Sequence, residues 1–234
     1  MNEHHKILIR LTGVTKSFMV GSGRFSALKN VDLEIRKGQM VSITGKSGSG
    51  KSTLLNIITG IDKTTEGSVS VNGVRIDKLS ESDLASWRGK NIGVVFQFFQ
   101  LIPTLTIAEN VMLPMDFCNT YPRSDRRKRA LSILQSVDII EQADKFPSSL
   151  SGGQQQRAAI ARALANDPSI IIADEPTGNL DSNTATSIFE LFASLARSGK
   201  TVIVVTHERE FSSYFEQCIS IADGVIAAGT SVNV

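Results

Sequence analysis

Apolar residues fall on alternate positions through the first third of the chain: Ile7, Ile9 and Leu11, then Val31, Leu33 and Ile35, then Val69, Val71 and Val74. A period of two marks strands with one buried face. Gly21-Ser22-Gly23, Lys37-Gly38 and Asn72-Gly73 break these runs as turns, so an antiparallel layer is predicted. The texture changes at Met40. An apolar run over residues 40–43 leads into a glycine-rich turn, and residues 52–58 then read as a helix, giving strand, loop, helix.

Residues 91–96 read as a buried strand, and residues 106–113 as an amphipathic helix ended by Pro114. Ser124 offers an N-cap for a following helix that carries Ile133, Leu134 and Val137 on one side. Arg126, Arg127, Lys128 and Arg129 near its start read as a solvated face. The sheet pattern resumes over 170–173 and 202–205. Between these runs Ala185, Ile188, Phe189, Phe192, Leu195 and Ala196 keep helical spacing, with Gly199 where a C-terminal cap belongs. Strand alternating with helix implies an α/β fold with a mostly parallel sheet, an antiparallel β layer at the N-terminal side and an inserted helical subdomain. The expected division is one domain, its core formed by residues 1–97 and 166–234 and its helical insertion by 98–165.

Composition narrows the class without naming a partner. Of 234 residues 41% are hydrophobic and 21% charged, which is ordinary for a folded globular domain. A net charge of +2 sets up no field that argues for nucleic acid or an anionic bilayer. The longest apolar runs are four residues, where a membrane-spanning helix needs about 20. Residues 1–10 lack the pattern of a secretory signal, so a cytoplasmic location is expected. Cys118 and Cys218 read as ordinary buried thiols, and His4 and His5 as solvated residues near a terminus.

Three motifs carry chemistry. Gly45-Lys46-Ser47-Gly48-Ser49-Gly50-Lys51-Ser52 fits the phosphate-loop pattern G-x-x-x-x-G-K-[ST], which a chain of this length matches by chance about 1% of the time. It also sits between a predicted strand and a predicted helix, where such a loop has to lie. Glycines at 45, 48 and 50 let successive N–H groups point inward, and the helix start adds its positive end. Lys51 is expected to reach the β- and γ-phosphates and Ser52 to ligate Mg²⁺, with Thr53 beside them. Second, residues 170–173 end in Asp174-Glu175. Asp174 at the end of a buried strand is suited to meet Mg²⁺, and Glu175 to deprotonate an attacking water. Third, Leu150-Ser151-Gly152-Gly153-Gln154 opens a helix, a second phosphate-binding helix start. Two chains pairing head to tail would each offer this end to ATP held on the other's phosphate loop.

With these motifs the chain resembles the ATP-binding subunits of ABC transporters over nearly its whole length. The resemblance implies a P-loop NTPase core, ATP and Mg²⁺ as cofactors, ATP hydrolysis coupled to transport, and a head-to-tail homodimer. It makes Leu150 to Gln154 the signature motif, Gln97 the residue contacting Mg²⁺ and water, Asp181 the residue of the interface loop, His207 the switch histidine and Phe18 the aromatic on adenine. Phe18 stands where the family often has Tyr, and Gly178-Asn179 where it commonly has Ser-Ala before Leu-Asp.

Asp174 to Asp181, together with the stretch after Gln97, is similar to the macrolide-exporter, lipoprotein-release and cell-division ATPases. That resemblance implies a transmembrane permease docking near residues 97–110 and a place on the cytoplasmic face of the membrane, with a periplasmic adaptor a further partner through the permease. An alternative inside the group is a complex that switches a periplasmic cell-wall hydrolase. DNA-maintenance relatives carry coiled-coil arms and translation-factor relatives two cassettes. Neither feature fits the short stretch between Gln97 and Ser151 or the single copy of each motif.

Overall fold

The structure is a computed structural model that describes residues 6–21 and 23–231. Ser22, His4 and His5 lie outside the described residues. The chain forms two compact units, one through Arg88 and again from Ile203, the other Gly89–Val202. The helical segment 98–165 falls within the second.

In the first unit β1 (Ile7–Val20) and β2 (Gly23–Arg36) pair antiparallel. After β3 (Met40–Thr44) and α1 (Lys51–Thr59) come β4 (Glu66–Val71) and β5 (Val74–Arg75), which complete the sheet in the order β2-β1-β4-β5. Its register explains the alternation in sequence. Leu11 stands opposite Leu33 on one side and Val69 on the other, and Ile9 opposite Ile35 and Val71, so one face is a continuous apolar layer. Asn72 and Gly73, with φ of 51° and 79°, form the two-residue turn between β4 and β5. Within α2 (Glu81–Asn91), at Gly89, the chain enters the second unit. It returns within β8 (Thr201–Val205), which lies beside β3, and β9 (Gln217–Ala222) runs parallel on the other edge of β3 and pairs antiparallel with β10 (Val225–Ser231). This last hairpin was not anticipated.

In the second unit β6 (Ile92–Val95) runs parallel to β7 (Ile170–Asp174), both apolar because both faces are covered. Around them lie α3 (Ile107–Cys118), α4 (Arg123–Ser136), α5 (Gly152–Leu164) and α6 (Ser182–Arg197). In α6, Ile188, Phe189 and Phe192 are fully buried, and Gly199 follows in the left-handed region, its N–H bonded to Ala196 O.

Four local expectations need correction. Pro114 does not end its helix: α3 runs on to Cys118. Proline removes the bond to the carbonyl of Asn110, but Ile107, Ala108, Val111 and Met115 are buried along one stripe, and that packing outweighs one missing bond. Ser124 is not the N-cap of α4, which begins at Arg123 after Pro122, whose fixed φ suits a helix entrance. The basic residues at its start are not all a solvated face. Arg126 is 3% exposed and bonds Asp116 Oδ1 at 2.5 Å, Tyr121 O at 2.8 Å and Asn119 Oδ1 at 2.8 Å. Arg129 donates to Ala165 O and lies over the Tyr121 ring, while Arg127 and Lys128 do face solvent. Finally, Cys118 and Cys218 are half-buried rather than buried.

Candidate functional site

The phosphate loop occupies the turn between β3 and α1 in the first unit. Gly48 and Gly50 take φ of 76° and 109°, and a Cβ on Gly50 would lie 2.6 Å from Ala27 O. The loop backbone is therefore open only to glycine there. Lys46, Ser47 and Ser49 form its crown between Gly45 and Gly50. Lys51 Nζ donates to Gly45 O at 2.7 Å and Lys46 O at 2.9 Å, so the ammonium is held over the loop rather than out in solvent.

The start of α1 is built to receive an anion. No side chain caps it and no acid stands in its first turn, so the N–H groups of Lys51, Ser52 and Thr53 meet no helical acceptor. Leu54 N makes the first such bond, to Gly50 O at 2.9 Å. Ser49 Oγ is buried and has no hydrogen-bond partner. Uncapped amides, an orphaned hydroxyl and a tethered ammonium are what a chain of phosphates satisfies, and the donor set fits a nucleotide. Among the described residues no group of three His, Cys, Asp or Glu is placed to hold a metal by itself. A nucleotide-bound Mg²⁺ needs fewer, since phosphate oxygens and waters fill most of its positions.

Two more candidates lie in this unit. Phe18, near the tip of the β1–β2 hairpin, is 39% exposed and stands opposite Phe25 in the register. Lys16 Nζ sits 4.9 Å from its ring centroid while also bonding Asp62 and Lys63 O. A ring this exposed on a strand end is unusual for a core residue and suited to stacking. His207 is exposed just beyond β8, after the buried Thr206, whose hydroxyl accepts from Glu208 N at 3.0 Å.

The second unit gathers the remaining candidates at the ends of its strands and helices. Asp174 ends β7, and Glu175 follows at φ 45°, a left-handed conformation uncommon outside glycine that turns the chain sharply at that residue. Gln97 follows β6. A Cβ built on Gly178 would lie 3.3 Å from Gln97 Nε2 and 4.0 Å from Glu175 Oε2, so the three meet at one spot. Ser151 caps α5 reciprocally with Gln154, and a Cβ on Gly152 would lie 3.3 Å from Leu180 Cδ2. Gly153 faces Thr184, which in turn binds Asp181. Asp181 therefore has a role of its own as the N-cap of α6: the Thr184 hydroxyl and amide donate to its two carboxyl oxygens at 2.6 and 3.0 Å and hold its carboxyl below the usual carboxylate range.

Two positions escaped the reading of the sequence. Asn110 is fully buried. It accepts from Ile102 N at 2.7 Å and donates to the carbonyls of Ile102, Leu105 and Thr106, pinning the loop before α3. Arg162 on α5 donates to the carbonyls of Phe99 and Gln100, and burial pushes its guanidinium below the ordinary arginine value. The one signal in sequence was a cation inside the otherwise apolar stretch from Ala158 to Leu164.

The ABC transporter family model matches residues 28–178. The chain belongs to the ABC transporter family. This ABC ATPase binds ATP with Mg²⁺ and hydrolyses it. It is 49% identical over 223 residues to the ABC transporter ATP-binding protein MJ0796 of Methanocaldococcus jannaschii, covering 94% of this chain and 95% of that one. It is 42% identical to the lipoprotein-releasing system ATP-binding protein LolD of Bacteroides thetaiotaomicron, covering 94% of this chain and 99% of LolD. Against the macrolide export ATP-binding/permease protein MacB of Agrobacterium fabrum identity is 42%, and the chain spans 34% of that longer protein. A dimeric, post-hydrolysis structure of MJ0796 bound to ADP and Pi superposes with a TM-score of 0.88 at 45% identity, over 97% of this chain and all of that one. The α/β fold with a P-loop NTPase core is the fold of this ABC cassette. Among the described residues no helix is long and apolar enough to cross a membrane.

Proposed function

We propose that two copies of this ATPase close head to tail over two nucleotides and drive a transmembrane permease of export or lipoprotein-release type from the cytoplasmic face of the membrane. The observation that carries the reading is the pair of helix starts of opposite character. The α1 start is uncapped and lined with orphan donors, and the α5 start presents a serine and two glycines in the other unit. The dimeric state of MJ0796 and the coupling of permease to ATPase named for MacB support it.

In this reading the loop amides of residues 45–53 and Lys51 bind the β- and γ-phosphates, and Phe18 stacks on adenine. Ser52, Asp174 and Gln97 would hold Mg²⁺, which supplies neutralisation of phosphate charge. Glu175 takes the proton of the attacking water, and His207 bonds the terminal phosphate. Ser151, Gly152, Gly153 and Gln154 reach the nucleotide of the facing copy, and Asp181 lies at the interface. The stretch over residues 97–110 meets the permease, for which the exposed side chains of Phe98 and Ile102, with Phe96 just before them, offer apolar area. A periplasmic adaptor would join through the permease, and no nucleic acid takes part.

Sedimentation of Glu175→Gln with ATP and Mg²⁺ tests the reading. A dimer that forms with ATP and falls apart with ADP is expected, with turnover lowered by about 10² to 10⁴. A monomer at all nucleotide concentrations, or native turnover in the variant, would overturn it.

A further inference from the structure

We propose that Arg162 is a positioning residue, its guanidinium binding the Phe99 and Gln100 carbonyls at once and so holding the loop after Gln97 to the helix that begins at Ser151. Phe99 and Gln100 have φ of 52° and 55°, two successive non-glycine residues in the left-handed region. Each is disfavoured alone, and a pair persists only where surrounding contacts over-determine it. Two contacts do so here: Arg162 Nη2 donates to Phe99 O at 2.7 Å and Nη1 to Gln100 O. A guanidinium presents several donors in a fixed planar fork, which gives each of two neighbouring carbonyls its own N–H from one rigid plane, a geometry that the single nitrogen of a lysine does not fix.

The tether joins two places with work to do. On the loop side, the turn at Phe99 and Gln100 begins two residues past Gln97, and a Cβ built on Gly178 would lie 3.3 Å from Gln97 Nε2 and 4.0 Å from Glu175 Oε2. On the helix side, α5 is unbroken from Gly152 to Leu164, so at 1.5 Å per residue Arg162 stands roughly 15 Å from the Ser151 end on one rigid rod. A displacement of the loop is thereby passed to the serine-glycine tip. The catalytic half of this inference rests on the role proposed for Gln97, and the tether itself does not.

Amide hydrogen exchange and a double-mutant cycle on the full chain test it together. In Arg162→Met, exchange over residues 97–106 is expected to speed up about tenfold or more while the melting temperature stays near native. Arg162→Lys, which keeps the charge and loses the fork, is expected to fall between the two, and serves alone should the Met variant fail to fold. Arg162→Met and Gln97→Ala are each expected to lower kcat with little change in KM for ATP, and the double variant to be no slower than the worse single variant within about twofold. Unchanged exchange over 97–106, or losses in kcat that multiply, would overturn the proposal. Native kcat in Gln97→Ala would instead sink the role given to Gln97, and the exchange result would still decide the tether.

Discussion

Ser151 and Gln154 bond each other twice: the Ser151 hydroxyl accepts from Gln154 N at 3.3 Å, and Gln154 Oε1 accepts from Ser151 N at 3.0 Å. The reciprocal pair is a capping box, which satisfies two orphan donors at the start of α5. The hydroxyl acts there as an acceptor, and its proton is left to be donated elsewhere. Capping and phosphate binding are therefore compatible on one atom. Ser151→Ala loses both and is expected to cost about 1 kcal/mol of stability as well as activity. Ser151→Asp keeps the acceptor and sets a negative charge against the facing phosphate. Thermal melting near native combined with turnover lowered at least tenfold is expected for the Asp variant, and an ordinary rate would remove Ser151 from the nucleotide.

Gly50 fixes the path of the phosphate loop. Its φ of 109° and the 2.6 Å approach of a built Cβ to Ala27 O make alanine strained in backbone and in contact alike. Gly50→Ala is expected to destabilise by at least about 1–2 kcal/mol and to weaken ATP binding. Denaturant unfolding and nucleotide titration check both. Native stability would show that the loop can take another path.

Much of this was legible because backbone requirements leave marks in sequence. Glycines at 45, 48 and 50 and the alternation from Ile7 to Val74 announced the phosphate loop and the antiparallel layer. Asn72-Gly73 announced its hairpin. What escaped was decided by tertiary neighbours. Nothing local tells that Arg126 turns inward to Asp116 and two loop residues, that Asn110 is fully buried, or that Arg162 reaches back across more than sixty positions to Phe99. Pro114 misled because local propensity argued for a stop while burial of α3 argued for continuation. Asp181 with Thr184 forms an ordinary helix cap, a local role that the resemblance to an interface loop does not announce.

Arg126 and Lys128 separate a buried cation from a solvated one on the same helix. Arg126→Ala removes three bonds and buried stem packing, for an expected loss of about 2–3 kcal/mol. Lys128→Ala is expected to stay within about 0.5 kcal/mol of native. Equal effects in urea unfolding would show that Arg126 is not the anchor of the turn between α3 and α4.

Asp77 gives the first unit an acid-sensitive support. Arg75 binds both of its carboxyl oxygens, at 2.8 and 2.7 Å, and Val69 N donates to one at 3.1 Å. The Arg75 bonds first, and the Val69 amide after them, hold this carboxyl below the usual range. A folded-state pKa below the unfolded value of about 3.9 means the stabilisation is complete above about pH 5. It is lost as pH falls through 3.9 toward the folded value. Asp77→Asn is expected to flatten that acid limb of stability against pH while changing little of its shape above pH 6. An unaltered limb would assign the acid sensitivity to other carboxylates.

Gly178 and Gln97 offer the finest probe of the hydrolytic geometry. Gly178 is exposed, and the tight contact a Cβ there would make is with the flexible end of Gln97, at 3.3 Å, while Glu175 O at 3.7 Å and Glu175 Oε2 at 4.0 Å lie at ordinary van der Waals distance. Alanine is thus affordable for folding, because the side chain in its way can move. Moving it is what should register. If Gln97 and Glu175 arrange water and Mg²⁺ together, Gly178→Ala shifts the amide by a few tenths of an ångström and lowers kcat several-fold, by about 1 kcal/mol of transition-state free energy. Gly178→Val, with two more carbons, should lower it further. Both variants should melt with the native protein and keep its KM for ATP, since neither touches the phosphate loop. A fall in thermal stability with no fall in kcat would reverse the assignment and make the close approach at Gly178 a matter of packing alone.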